Sequence, residues 1–156
     1  MNVSSINNKN TIIVDLDGTI AIVDKRKLIS TNENDKIEWK HFFNPSNIEL
    51  DQPNTTVIKA LQLFKASGYK IVILSGRSDI TKERTIAWLN EYDVPFDHLL
   101  MRPYKDFRPD DILKKELFLN NINIDDVFFI LDDRQKVVDM WRSMGLTCWQ
   151  VAVGDF

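Results

Sequence analysis

The sequence is short of the features that mark several protein classes. Cys148 is its only cysteine, so no internal disulfide and no cysteine-based zinc site can form, as suits a reducing compartment. It has no surplus of basic residues: 20 Lys and Arg stand against 23 Asp and Glu, a formal net charge of −3. A protein that coats a long polyanion shows the opposite balance, so any such contact must be local, for instance at one strand end. Its longest apolar run, Val127–Leu131, is far below the roughly 18 residues that span a bilayer. Met1–Asn10 is polar and Asn/Ser-rich, with no apolar stretch of signal-peptide type. No membrane association is expected, and the expected location is the cytoplasm. The two histidines, His41 and His98, suggest no role of their own.

What remains is ordinary globular composition, 44% hydrophobic and 28% charged over 156 residues, which suits one domain. A flexible N-terminus over 1–10 and a single domain over 11–156 are expected. Thr11–Leu16, Tyr69–Leu74, His98–Met101, Val127–Leu131 and Leu146–Val151 read as strands, being β-branched or continuously apolar. Helices are expected from Pro53 to Gly68, with Val57, Ala60, Leu61 and Phe64 on one face, then over Thr81–Glu91, from Pro109 to about Leu119, and over Arg134–Met144. Residues 20–50 fit neither period and read as a small insertion carrying Trp39, Phe42 and Phe43. Strands alternating with helices imply an α/β fold with a largely parallel sheet.

Ligands of such sheets collect at the carboxyl ends of the strands. Three strands here stop in polar or acidic residues: Asp15 and Asp17, Ser75 and Gly76, Asp132 and Asp133. In Asp15-Leu16-Asp17-Gly18-Thr19 the two carboxylates are two residues apart, and on a strand both can face one pocket. Ser75-Gly76-Arg77 can offer a hydroxyl and main-chain N–H groups to an oxyanion. Asp132 and Asp133 repel each other unless a cation lies near, and hard oxygen donors of this kind suit Mg²⁺. Lys114 taken singly is a helical lysine, usually solvated.

In this order the pieces resemble the haloacid dehalogenase (HAD) superfamily of phosphotransferases, with Asp15-x-Asp17-Gly18-Thr19, Ser75, Lys114 and Asp132-Asp133 as its four signatures. Ser75-Gly76-Arg77, Arg108-x-Asp110-Asp111-x-x-Lys114-x-Glu116, Asp132-Asp133-Arg134-x-x-Val137-Val138 and the ending Cys148-Trp149-Gln150-Val151-Ala152 resemble the 3′-phosphatase domain of phage-type polynucleotide kinases. The resemblance implies a Rossmann-like, HAD-type sheet flanked by helices, with the 20–50 insertion as a small cap. It does not extend to a kinase. None of the glycines, at 18, 68, 76, 145 and 154, precedes a lysine, so no G-x-x-x-x-G-K-[ST] loop exists in this sequence.

That resemblance also implies chemistry. Asp15 would attack phosphorus and form an aspartyl-phosphate. Asp17 would protonate the leaving oxygen and later activate water. A dehalogenase expels halide and needs no such acid, so Asp17 points to oxygen leaving groups. Mg²⁺ would be held by Asp15, the Asp17 main-chain carbonyl, and Asp132, Asp133 or both. Ser75, Thr19 and Lys114 would meet the transferring oxygens, with Arg26, Gly76, Arg77 and Asp110 as further substrate-binding candidates and Asp110 placed to orient Lys114. The expected activity is removal of 3′-phosphate from DNA or RNA ends in repair, beside a separate kinase or ligase. A nucleotidase or other small-molecule phosphatase of the superfamily is the alternative. Trp39, Phe42 and Phe43 would either stack a base or pack the insertion, while Trp141 and Trp149 read as core.

Overall fold

The computed structural model describes residues 9–154; the expectation for the N-terminus thus falls almost wholly outside the described residues. In chain order the elements are β1 (Thr11–Val14), β2 (Ala21–Ile22), α1 (Asp24–Ser30), α2 (Trp39–Phe42), β3 (Gln52–Pro53), α3 (Thr55–Ala66), β4 (Lys70–Ser78), α4 (Lys82–Glu91), β5 (His98–Arg102), α5 (Asp110–Asn121), β6 (Val127–Asp132), α6 (Gln135–Ser143) and β7 (Cys148–Gln150). Short 3₁₀ turns cover Pro45–Leu50, Asp79–Thr81 and Ile124–Asp126.

Five strands form one parallel sheet in the order β5-β4-β1-β6-β7. The chain builds outward from β1 on one side, then returns to build on the other. β1 is thus where the strand order reverses, the place where open α/β sheets hold ligands at their carboxyl edge. All four residues of β1 are buried, because both faces of a parallel sheet are covered. Ile12 and Val14 join one core with Leu61, Ile73, Trp88 and Phe129. Ile13 joins the other with Phe118, Ile130, Val138 and Trp141.

The elements follow the sequence pattern, with shifted ends. α3 begins at Thr55 rather than at Pro53, since Gln52–Pro53 pairs antiparallel with Ala21–Ile22 and closes the base of the insertion. β4 runs four residues past the expected Leu74, because a shift of register between Ser75 and Ser78 lets it keep pairing with β5 as far as Arg102. Pro109 precedes α5 rather than opening it, and Asp110 and Asp111 fill the first turn, where acidic groups suit the positive end. β7 is shorter than expected and is the sheet's edge. Accordingly Trp149 is half-exposed, stacked on Phe129 at 4.3 Å between ring centroids. No helix among the described residues is long and apolar enough to cross a membrane.

Candidate active site

Strand register alone begins the site. Val14 lies level with Ile73 of β4 and Leu131 of β6. The next residue on each strand is Asp15, Leu74 and Asp132, so two carboxylates emerge side by side from strands about 4.8 Å apart. Gly18 then turns the chain with φ of 89°, a conformation costly for residues with a Cβ. Space excludes a side chain too, since a Cβ at Gly18 would stand 2.2 Å from Asp133 Oδ2.

Ligand oxygens of Asp15, Asp132 and Asp133 lie within 4.8 Å of one another, all three residues being buried. Lys114 reaches them from α5 and is itself buried. Its Nζ donates to Asp15 Oδ1 at 2.7 Å and to Asp132 Oδ2 at 2.9 Å. Thr19 Oγ1 donates to Asp15 Oδ2 at 3.2 Å. Asp132 also accepts from the Trp141 indole at 3.3 Å and from the Asp133 amide at 3.0 Å. Asp133 Oδ1 is buried with no hydrogen-bond partner among the described residues. Three carboxylates thus share one ammonium. Burial pushes the Asp15 carboxyl well up, and the charges of Asp132 and Asp133 push it further against the pull of Lys114. Burial, then the charge of Asp132, pushes Asp133 up to about 6. For Lys114 burial pulls the other way, but Asp132 and Asp15 outweigh it and hold the ammonium charged.

A second ionic network adjoins the first. Asp17 Oδ1 accepts from Arg26 Nη2 and from Arg77 Nη2. Both guanidiniums also bond Asp51, Arg26 Nε at 2.9 Å to Oδ1 and Arg77 Nη2 at 2.9 Å to Oδ2. Arg77 Nη1 donates to Thr85 Oγ1 at 3.0 Å, Arg26 Nη1 to the Phe42 carbonyl at 3.2 Å, and the Trp88 indole to the Asp51 carbonyl at 3.1 Å. Burial raises the Asp17 carboxyl, but Arg26 and Arg77 together hold it well below the usual carboxylate range. The side chains of Arg26, Arg77 and Asp51 are wholly buried, whereas Asp17 keeps 11% exposure. Both arginines therefore spend their N–H groups bracing Asp17 and Asp51, not facing solvent. Asp51 was not among the residues expected from the sequence, nor were Thr85 and Trp88. Asp17's side chain stands apart from the three-carboxylate cluster, which leaves only its main-chain carbonyl for the metal role expected of it.

The remaining candidates form a third group. Ser75 is buried and its hydroxyl accepts from the Arg77 amide at 3.1 Å. At Gly76 a Cβ would lie 2.4 Å from Asp110 Oδ1, so the turn after Ser75 needs glycine for Asp110 to approach. Asp110 makes its hydrogen bonds to Arg102 and, at 2.8 Å, to Arg134. Its influence on Lys114, which it was expected to orient, is through charge. All three groups open on one cavity of about 940 Å³, lined by Asp15, Asp17, Gly76, Arg77, Asp110 and Lys114 at its floor and by Trp39, Phe43, Tyr104 and Phe107 among its walls. Chemically, the floor offers a nucleophilic carboxylate held by two donors, a second carboxylate beside it, and a charge-deficient oxygen cluster suited to a divalent cation.

Comparison with known proteins agrees with this geometry. Residues 9–156 match the family model for the polynucleotide kinase PNKP phosphatase domain. A protein of Autographa californica nuclear polyhedrosis virus, named as a candidate bifunctional polynucleotide kinase/RNA ligase, is 32% identical over 136 residues, 85% of this chain and 18% of that protein. Among solved structures, a chain of the Pnkp1/Rnl/Hen1 RNA repair complex is 40% identical with a TM-score of 0.80, covering 96% of this chain and 45% of that one. A haloacid dehalogenase-like hydrolase from Streptococcus pneumoniae, 13% identical with a TM-score of 0.66 over 97% of this chain and 89% of its own, shares the fold. The chain thus spans less than half the length of the first two relatives.

Proposed function

The chain belongs to the polynucleotide kinase PNKP phosphatase-domain family, and from that premise we propose that it is a Mg²⁺-dependent polynucleotide 3′-phosphatase acting through an aspartyl-phosphate on Asp15. The observation that carries this reading is the convergence of Asp15, Asp132, Asp133 and Lys114 from β1, β6 and α5 with Asp17 beside them. Residues 11–156 act in it as one phosphatase domain, with the 20–50 insertion as its cap.

The donor set fits a hard divalent cation: three buried carboxylates bring oxygens within 4.8 Å of one another, and Asp133 Oδ1 lacks a hydrogen-bond partner among the described residues. Asp15, Asp133 and the Asp17 carbonyl would hold Mg²⁺, with Asp132, already engaged by Lys114 and Trp141, completing the set. Mg²⁺ supplies charge neutralisation between an anionic nucleophile and an anionic substrate.

Thr19 and Lys114 hold the two oxygens of Asp15 and so fix its direction. Asp15 attacks phosphorus as the bond to the 3′-oxygen breaks, and Asp17 gives that oxygen its proton. In the free protein Asp17 is ionised by its arginines. A phosphate dianion entering beside it raises its pKa, as a like charge does, and Asp17 takes up a proton from solvent with the substrate to become the acid. After departure of the product, the ionised form takes a proton from the water that attacks the phosphoenzyme. Asp15 is regenerated and inorganic phosphate leaves. Ser75 and Lys114 offset charge on the transferring oxygens. Arg26, Arg77 and Asp51 act through Asp17 as positioning residues.

The Pnkp1 relative's RNA repair complex and the ligase named in the viral relative support a place in nucleic-acid end repair beside strand joining, with a separate kinase or ligase as partner. Phosphate release from 3′-phosphorylated RNA and DNA oligonucleotides, a 3′-mononucleotide and 5′-phosphorylated ends tests the reading. The expected result is fastest release from the oligonucleotide 3′ ends. Equal or better turnover of the mononucleotide would instead make the protein a small-molecule phosphatase.

A further inference from the structure

Between β5 and α5 the chain makes an excursion, residues 103–109, that walls one side of the cavity. Two of its side chains stand in water there, Tyr104 at 60% and Phe107 at 90% exposure. A loop free to move would fold such rings against the body of the protein. This one is held. Arg102 donates to the carbonyls of Gly76 at 2.7 Å, Asp106 at 3.0 Å and Arg108 at 2.7 Å, and pairs with Asp110. Asp106 accepts from the Arg108 amide at 3.0 Å and from its guanidinium, and Arg108 also pairs with Glu116 of α5. Lys105 sits at φ of 64°, a strained conformation for a residue with a side chain, which persists only where its surroundings impose it. The bracing runs from the loop to Gly76 and Asp110 on the cavity floor.

The cavity's other aromatic contribution comes from the insertion: Trp39, 47% exposed, stacks on Phe43 at 5.8 Å and 22° between planes. Lys40 and Lys105 also line the cavity; Lys105 Nζ lies over the Tyr104 ring, 5.4 Å from its centroid, so that ring and cation stand together. At about 940 Å³ the cavity is far larger than a phosphoryl group fills. Exposed rings interleaved with lysines beside an anionic reaction centre match the chemistry of unpaired nucleotides, whose bases stack and whose backbone is negative.

We propose that the braced loop 103–109 is a single-strand platform: Phe107 and Tyr104 stack unpaired bases next to the 3′-phosphate, and Lys105 and Lys40 meet the sugar–phosphate chain. It makes the enzyme select polymer ends over monomers, and it rests on the 3′-phosphatase reading above. Arg102 is the positioning residue that keeps the platform in register with the floor.

The test uses the full chain. A single-stranded oligonucleotide with a 3′-phosphate and 2-aminopurine at its penultimate base is titrated into the Asp15→Asn variant, where it is held but not turned over. Stacking quenches its fluorescence. Adding Phe107→Ala relieves the quenching and weakens Kd about tenfold, the scale of one lost base–aromatic stack. Phe107→Trp restores both, and Phe107→Leu restores neither, because a leucine keeps apolar area without a π face. In the Asp15 background Phe107→Ala and Arg102→Lys lower kcat/KM on the oligonucleotide about tenfold more than on an aryl phosphate. Unaltered Kd and quenching in Phe107→Ala, or rescue by leucine equal to tryptophan, overturns the platform. The two ideas fail separately. If the 3′-phosphate is not hydrolysed while the quenching behaves as stated, the reaction assignment falls and the platform stands. If 3′ ends are hydrolysed and Phe107→Ala leaves the substrate ratio unmoved, the platform falls and the assignment stands.

Discussion

Two buried ionic networks meet at the tip of β1, and they are balanced differently. In one, Asp17 and Asp51 face Arg26 and Arg77, charge against charge, with their N–H groups shared among Asp17, Asp51, Thr85 and a main-chain carbonyl. In the other, Lys114 pairs with Asp15 and Asp132 while Asp133 stands beside them, its Oδ1 without a hydrogen-bond partner among the described residues. The first network is closed and neutral. Its service is to fix one carboxylate, Asp17, at the cavity. The second is short of positive charge, and there burial together with neighbouring carboxylates pushes Asp15 and Asp133 up; in the first, burial pushes Asp51 up to about 6 despite its two arginines. Under the proposed function, the deficit lies where the cation would go, and the charges beside it are settled.

The comparison is broken most severely at the nucleophile. Asp15→Asn should lower phosphate release by about 10⁴-fold or more, as loss of a covalent nucleophile does, while circular dichroism and thermal unfolding show a folded protein. A variant with near-normal rate would contradict covalent catalysis. Next come opposite signs of stability in the two networks. Arg26→Ala leaves Asp17 and Asp51 short of a partner in a buried place and should cost about 3–5 kcal/mol in urea unfolding. Asp133→Asn removes charge from a crowded cluster, and in metal-free buffer it should leave stability unchanged or raise it. Equal losses in both would mean that the networks do not differ in balance.

The pH dependence sharpens the same contrast. Asp133 has a folded-state pKa of about 6 against an ordinary 3.8, so between those values the folded protein holds more protons than the unfolded one. Its linkage is a destabilisation present above pH 6 that is relieved as pH falls. Asp51, pushed up to about 6 by burial, carries the same sign, so metal-free protein should gain melting temperature from pH 7.5 to 5.5, and saturating Mg²⁺ should remove the Asp133 share of that gain and leave the Asp51 share. Asp17, held low by its arginines, works the other way: its stabilisation is present above pH 3.8 and is lost only as pH falls below it. The smallest effect is expected at the exposed Arg84–Glu49 pair, where Arg84→Ala should move neither the melting temperature nor the rate measurably.

Much of the cavity floor was legible because its residues sit at strand ends. A buried apolar run that stops at Asp15, and another that stops at Asp132, announces a common edge once the sheet is known to be parallel. Lys114 was legible only through the family pattern, since a single helical lysine carries no signal of burial. The insertion was the opaque part. Asp51 lies in no periodic segment, and its partners are 25 and 26 residues away. Arg26 and Arg77 were read as substrate-binding candidates, and nothing in the sequence announced that both would be buried against Asp17 and a second carboxylate. The wall loop was equally hidden, because Arg102 acts through three main-chain carbonyls, and no sequence pattern encodes those. Trp149 left the core because β7 turned out to be an edge, a property of topology and not of the residue.

The most direct test of a cation held against Asp15 is the melting temperature in a MgCl₂ titration at pH 7.5, compared between wild type and Asp133→Asn. A ligand bound only by the folded state stabilises it in a saturable way set by its Kd. The expected result is a saturable rise in wild type that Asp133→Asn abolishes. Equal rises in both proteins, or none in wild type, would contradict a cation site built from Asp15, Asp132 and Asp133.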